Sequence, residues 1–279
     1  MPATQIAQNL AFINWTVLTG LALGSYAAVV LLRRRNGATR GYLAFTTACA
    51  IGFGVLAWAS DGALPASLGN SPVVVDPAWD GPRSVALAAF CILAAAGLVA
   101  RRLVPPVAPA VEWATLASAG AILLFGALAW GGASLGTAAL LVQLLIISAA
   151  TGGVFAAMIL GHWYLVTPKL PEAPLILLAR SLLAVVVLQV VLFWAWIATG
   201  AGPAGGAPFA ALVGPWALFV WLRLIVGLVF PLIVSWASVQ TARSRSMESA
   251  TGLLYVNVGS IAAGTILAAG LYFGAGLLV

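Results

Sequence analysis

Eight long apolar runs govern what this chain can fold into. Each contains about 20 or more mostly apolar residues, the number that an α-helix needs to cross roughly 30 Å of hydrocarbon. Proline, glycine and clusters of charge separate the runs. The sequence therefore predicts an all-α integral membrane protein, with residues 1–279 forming a single transmembrane domain of eight helices. The predicted spans are Leu10–Leu32, Tyr42–Leu64, Val85–Val104, Ala110–Trp130, Thr137–Val166, Pro174–Thr199, Leu212–Gln240 and Ala250–Leu278.

The composition excludes a soluble fold. Apolar residues make up 63% of the chain and charged residues 6%, against roughly 45–50% and about 25% in ordinary soluble domains. A soluble domain of this size needs far more polar surface to stay dispersed. The runs are continuously apolar, whereas the strands of a membrane β-barrel alternate apolar and polar residues, so helices are expected.

Basic residues predict the orientation in the membrane. Nine of the 12 fall in connections on one side, and that side is expected to face the cytoplasm. Both termini are then expected outside, with the protein in the cell (inner) membrane. The outer connection from Pro65 to Ser84 carries Arg83, and its four prolines, Pro82 among them, predict that it is not helical. The nine residues on the cytoplasmic side are Arg33, Arg34, Arg35, Arg40, Arg101, Arg102, Lys169, Arg243 and Arg245.

The same charges bear on partners and cofactors. They are spread over short loops next to the lipid, so membrane lipids are the expected partner and nucleic acid is not. The single histidine, His162, cannot supply both axial ligands of a bis-His haem. Carboxylates and histidines at metal-ligand spacing are also missing from the sequence, which predicts no metal site.

Polar residues at membrane depth are the candidate site residues, because a charge there is costly unless it is paired or hydrated. Toward the outer face lie Asp61, Gln143 and Arg223. Asp61 is the acid nearest the outer ends of the spans, so an Asp61–Arg223 pair is predicted. Such a pair would either lock two helices together or bind a substrate.

A second group lies toward the cytoplasmic face. His162 is expected either as an interfacial residue satisfied by water or as a proton-handling or headgroup ligand. Tyr164 is expected to anchor its helix at the interface. Arg180 either extends to the headgroups or pairs with Glu112. The remaining polar residues predicted to be buried are Asn257 and Gln189.

Glycine and proline positions predict helix contacts and one irregularity. Pairs four residues apart, Gly20/Gly24 and Gly270/Gly274, permit close helix packing. Gly152-Gly153 is interpreted as a packing site or a hinge. Pro231 cannot donate a backbone hydrogen bond to Gly227, so a kink is expected between these two residues.

The layout of eight spans with both ends outside, and a final span from Thr251 that ends in the aromatic pair Tyr272-Phe273, resembles the membrane-anchor subunits of polysulfide and DMSO reductases. The resemblance implies a subunit of a respiratory complex that binds quinone between its helices. It also implies electron exchange with a peripheral iron–sulfur partner. The last span departs from the expected pattern, since Gly264–Gly270 contains only small or apolar residues.

Three functions remain open from the residues. A quinone headgroup needs one or two polar groups beside an apolar groove, and either the outer set or the inner set of His162, Tyr164 and Arg180 could supply them. Any enzymatic activity would then be that of an oxidoreductase complex as a whole. A small-solute transporter would use the predicted Asp61–Arg223 pair and the kinked seventh span. An accessory subunit without catalytic function would hold other helices in a homo- or hetero-oligomer.

Overall fold

The computed structural model describes residues 1–35, 37–167 and 170–279. It is 82% helical and has no strand in this part of the chain. Within the described residues, eight helical segments are long and apolar enough to cross a membrane, which confirms the predicted all-α bundle and its number of spans. The protein is a multi-pass membrane protein whose outer surface contacts lipid.

Of the ten α-helices in the described ranges, nine build the spans, because a π-helical turn, Ile225–Val229, joins two of them into the seventh span. The short helix α1 precedes the first span. In chain order the helices are α1 (Pro2–Gln8), α2 (Leu10–Arg34), α3 (Arg40–Asp61), α4 (Asp80–Leu103), α5 (Ala108–Trp130), α6 (Ser134–Val166), α7 (Ala173–Thr199), α8 (Ala217–Leu224), α9 (Phe230–Arg243) and α10 (Met247–Ala275).

The helix ends lie within five residues of the predicted ones, and the start of α4 is the difference that matters. The sequence predicts the third span from Val85, but α4 begins at Asp80. Pro82 was expected to prevent helix formation and instead lies in the first turn, where no intrahelical donor is needed. This extension carries Arg83 out of the predicted loop and into the bundle, where it is 1% exposed.

The two ends of the bundle differ in character. Asn9 Nδ2 donates a hydrogen bond to the carbonyl oxygen of Phe273 at 3.1 Å, so the chain begins and finishes at the same end. We call this the termini end. The opposite end collects the basic C-terminal turns of α2, α4 and α9, and we call it the arginine end.

The helices form two groups that meet along α2 and α6, the two most buried spans. Helices α2 to α5 pack as successive neighbours, and α6, α7, α9 and α10 form the second group. At the crossing of α2 and α6, a Cβ built on Gly24 would lie 1.9 Å from the carbonyl oxygen of Ser148, and one on Gly152 would lie 2.2 Å from the backbone nitrogen of Ser25. Only glycine fits at these two positions, which confirms the predicted packing role of Gly24 and Gly152.

The sequence predicts a kink between Gly227 and Pro231, and the structure has a π turn over Ile225–Val229 at this place. Pro231 lies two residues after this turn and has no N–H to donate to the carbonyl of Gly227. A Cβ on Gly227 would lie 2.6 Å from the Cα of Gly264, so the turn is also the place where the seventh span packs closely against α10.

Candidate functional site

A cavity of about 300 Å³ lies at the termini end beside α2, α3, α4 and α5. Its rim is exposed at Gly62 and Gly81. We call it the termini-end cavity. Its lining combines one buried ion pair with apolar and aromatic walls, formed by Phe12, Asp61, Leu64, Val75, Arg83 and Trp130.

The ion pair joins α3 to α4. Arg83 Nε donates to Asp61 Oδ1 at 2.6 Å, and the two side chains are 1% and 2% exposed. Arg83 Nη2 also donates to Asp80 Oδ1 at 3.0 Å, and the Asp80 side chain is half exposed at the rim. One guanidinium is therefore shared between a buried acid and an acid that reaches water.

Two tryptophans enclose the same guanidinium. The Arg83 Cζ lies 4.8 Å from the ring centroid of Trp130 and 5.8 Å from that of Trp15, within the range of cation–π attraction. The two indole rings meet edge to face, with centroids 4.8 Å apart. Tyr272 donates a hydrogen bond to the carbonyl of Trp130 at 2.8 Å, which ties this aromatic cluster to α10.

The cluster contains buried donors that no protein acceptor satisfies. Across residues 1–35, 37–167 and 170–279, no hydrogen-bond partner is found for Arg83 Nη1, Trp15 Nε1 or Trp130 Nε1. Buried polar atoms are normally paired, and an unpaired one costs about 1–3 kcal/mol. Two of the three donors belong to Arg83 and Trp130, which line the cavity, and this fits a ligand that supplies acceptor oxygens.

The predicted Asp61–Arg223 pair is wrong. Asp61 pairs with Arg83, a residue that the sequence interpretation assigned to a loop. The missed signal is local: Asp80 followed by Pro82 is typical of the first turn of a helix, since Asp favours the positive end of the helix dipole and Pro needs no donor there.

Arg223 lies elsewhere, beside the π turn, and is 2% exposed. Its Nη1 donates to the carbonyl of Gly227 at 3.1 Å. Among the described residues neither a carboxylate nor any other acceptor is bonded to its Nε. Its guanidinium packs against Gly227 and Gly264.

Gln143 does not reach the termini-end cavity either. Its Nε2 donates to the carbonyl oxygen of Val279 at 2.7 Å, and its Oε1 accepts a hydrogen bond from Trp196 Nε1 at 3.4 Å. The outer set predicted from the sequence is therefore divided among three places, and only Asp61 lines the cavity.

At the arginine end, Glu112 is buried and pairs with two residues other than Arg180. Arg33 Nη1 donates to Glu112 Oε1 at 2.6 Å, and Arg101 Nη2 donates to the same oxygen. Arg180 is exposed on α7, as expected of a side chain that extends to the headgroups. The alternative Arg180–Glu112 pair is therefore wrong.

The other members of the inner set also lie apart. His162 is exposed, and its Nδ1 lies 3.3 Å from the hydroxyl of Tyr255 on α10. Tyr164 is buried, and its hydroxyl donates to the carbonyl of Pro171. The predicted role as an interfacial anchor is therefore wrong. It lines a second cavity of about 450 Å³ beside Arg245 and Glu248. Lys169, predicted to be cytoplasmic, lies outside the described residues.

The two remaining polar predictions are confirmed as buried. Asn257 is fully buried, and its Nδ2 donates to Ser235 Oγ at 2.9 Å, which links α10 to α9. Gln189 is 6% exposed on α7. Within the described ranges, no group of three or more His, Cys, Asp or Glu side chains is close enough to hold a metal ion.

Comparison with known proteins adds no family to this description. No protein-family model matches the chain, and no curated protein matches it.

Proposed function

We propose that this protein is the membrane subunit of an electron-transfer complex and binds a quinone headgroup in the termini-end cavity. The observation that carries the proposal is the buried Asp61–Arg83 pair, with the unpartnered Arg83 Nη1 and Trp130 Nε1, beside the apolar wall of Phe12 and Leu64 in the described part of the chain. A quinone needs this combination, since its ring is apolar and its two oxygens require donors.

The residues divide the work of binding and proton transfer. Arg83 Nη1 and the indole N–H of Trp130 donate to a quinone carbonyl oxygen, and the indole ring packs against the ring of the ligand. In the reduced ligand, a hydroxyl donates to Asp61. Oxidation of a quinol to a quinone releases two electrons and two protons. Asp61 accepts the two protons one after the other and passes each toward Asp80 at the exposed rim, while the two electrons leave to a redox partner.

The distribution of charge supports an orientation. Basic residues concentrate at the arginine end, which we assign to the cytoplasm. The termini end and its cavity then face the outer side of the cell membrane, which is the inner membrane in a cell that has two. We further propose a peripheral partner on that side, an iron–sulfur or other redox subunit, because electrons from the cavity need an acceptor within reach.

Binding of a decyl-tailed benzoquinone to the purified protein in detergent tests the proposal. Titration with quenching of tryptophan fluorescence gives the dissociation constant. Asp61→Asn should weaken binding of the reduced form about tenfold or more, because hydrogen bonds to charged groups contribute about 1.5–3 kcal/mol. Trp130→Phe should weaken binding of the oxidised form about two- to tenfold, because one neutral donor is lost.

Glu172→Gln is the matched control. It also removes one carboxylate charge that is paired with an arginine, but at the arginine end, where Glu172 bonds Arg245. Its affinity for both forms should equal that of the wild type. If folded Asp61→Asn binds both forms as tightly as this control, the cavity is not the quinone site.

The seventh span favours a second candidate, a small-solute transporter. A π turn next to a proline, with the buried charge of Arg223 beside it, is typical of an irregular helix at a functional site. In proteoliposomes, a transporter would move solute without any redox reaction. An accessory subunit in a homo- or hetero-oligomer would neither transport solute nor bind quinone.

A further inference from the structure

Two arginines pair with one buried acid at the arginine end, and a third arginine lies over the neighbouring tryptophan. Arg33 and Arg101, from α2 and α4, both donate to the same oxygen of Glu112 near the start of α5. The Arg34 Cζ lies 4.3 Å from the ring centroid of Trp113. Three guanidiniums and one carboxylate thus meet at residues 112 and 113. We call these five residues the arginine cluster.

The cluster has an excess of positive charge and of donors. Its net charge is +2, from three guanidiniums and one carboxylate. Each guanidinium has five N–H donors. In the described part of the chain, the side-chain hydrogen bonds involve two nitrogens of Arg33, which reach Glu112 and Thr47, and one of Arg101. The arrangement therefore suits a further anionic acceptor.

The cluster lies where a span meets the edge of the apolar region. Arg34, Arg101 and Trp113 are exposed at the adjoining ends of α2, α4 and α5. Tryptophan prefers the headgroup level of a membrane. The N-terminus of α5, at Ala108, adds the positive end of a helix dipole about one turn before Glu112.

Apolar side chains are exposed beside these charges. The connection from α4 to α5 exposes Leu103 by 75%, Val104 by 50% and Val107 by 47%. A soluble anion gains nothing from these side chains, whereas acyl chains attached to an anionic group can cover them. The juxtaposition favours a ligand with a charged head and an apolar tail.

We propose that the arginine cluster binds the phosphate of an anionic phospholipid. The phosphate oxygens accept hydrogen bonds from Arg34 and Arg101, and the acyl chains lie against Leu103 and Val107. Glu112 holds Arg33 and Arg101 in place, so it is a positioning residue. This binding does not depend on the quinone proposal.

Lipid titration followed by native mass spectrometry tests the site. The delipidated protein in neutral detergent is titrated with dioctanoyl phosphatidylglycerol, with dioctanoyl phosphatidylcholine, or with inorganic phosphate. The wild type should retain one phosphatidylglycerol in preference to phosphatidylcholine, and inorganic phosphate should compete only weakly. Arg34→Gln/Arg101→Gln should weaken the phosphatidylglycerol complex about 25-fold, at about fivefold for each arginine.

The control variant is Arg180→Gln/Arg243→Gln, which removes two exposed arginines from the second group of helices. It should bind phosphatidylglycerol as the wild type does. Equal losses in the two double variants would overturn the proposal, as would full competition by inorganic phosphate. Wild-type binding should also fall when NaCl rises from 50 to 500 mM. If salt did not weaken phosphatidylglycerol binding to the wild type, this result alone would contradict the proposal.

Discussion

Arg223 donates a hydrogen bond to the carbonyl of Gly227, the group that Pro231 leaves without its usual helical donor. The side chain of one residue thus replaces the missing backbone N–H of another. The arrangement joins a buried charge to a break in the helix, and the glycines at 227 and 264 leave space for the guanidinium.

Arg223→Met is expected to stabilise the protein. Arg223 is buried without a carboxylate partner among the described residues, and an uncompensated charge at this depth costs several kcal/mol. The midpoint of thermal unfolding in detergent should rise by roughly 2 °C or more. Arg180→Met removes an exposed arginine instead and should leave the midpoint nearly unchanged. A lower midpoint for Arg223→Met would mean that its contact with Gly227 outweighs the cost of the buried charge.

Alanine substitutions at the neighbouring glycines 152 and 153 on α6 should change the free energy of unfolding in opposite directions. Gly152→Ala places a methyl group against the backbone of α2 and should lower the free energy of unfolding by about 1–3 kcal/mol or more. Gly153→Ala meets nothing within 4 Å and should raise it by about 0.5–1 kcal/mol through higher helix propensity. Thermal unfolding of the two variants measures this difference. Similar behaviour of both would contradict the close crossing of α2 and α6.

The Asp61–Arg83 pair should show strong coupling in a double-mutant cycle. Arg83→Met leaves the buried carboxylate of Asp61 without its ion-pair partner, and breaking a buried pair costs about 3–5 kcal/mol. Asp61→Asn should lower the free energy of unfolding less, because Arg83 still pairs with Asp80 in this variant. Denaturant unfolding of the double variant should give a loss smaller than the sum of the single losses. Strict additivity would show that the two side chains do not interact.

Much of the fold is predictable from the sequence, because apolar runs of span length have few alternatives in a membrane. The runs beginning at Leu10 and Thr137 predict α2 and α6 to within three residues at each end. Proline chemistry predicts a disturbed helix near Pro231, and the structure has a π turn there rather than a simple break in an α-helix. Run length and proline position are local properties, so they can be read from the sequence without knowing which helices are neighbours.

The pairing of polar residues is less predictable, because it depends on which helices are neighbours. Asp61 and Arg223 have suitable depth and opposite charge, but α3 packs against α4, where Arg83 is available. An error of five residues at the start of α4 concealed that arginine. Likewise, Glu112 is satisfied by Arg33 and Arg101 from two other helices. The depth of a polar residue in the membrane predicts its candidate partners, and the packing of the helices determines which of them it contacts.

Photo-crosslinking with an azido-benzoquinone tests the central proposal most directly. The protein is reconstituted in lipid, illuminated with the probe, digested, and its labelled residues are mapped by mass spectrometry. We predict labels on the cavity wall, at Phe12, Leu64 and Trp130, that excess unlabelled quinone abolishes. Labels confined to exposed residues outside the cavity, such as Trp194 and Tyr255, and unaffected by unlabelled quinone, would contradict a quinone site at the Asp61–Arg83 pair.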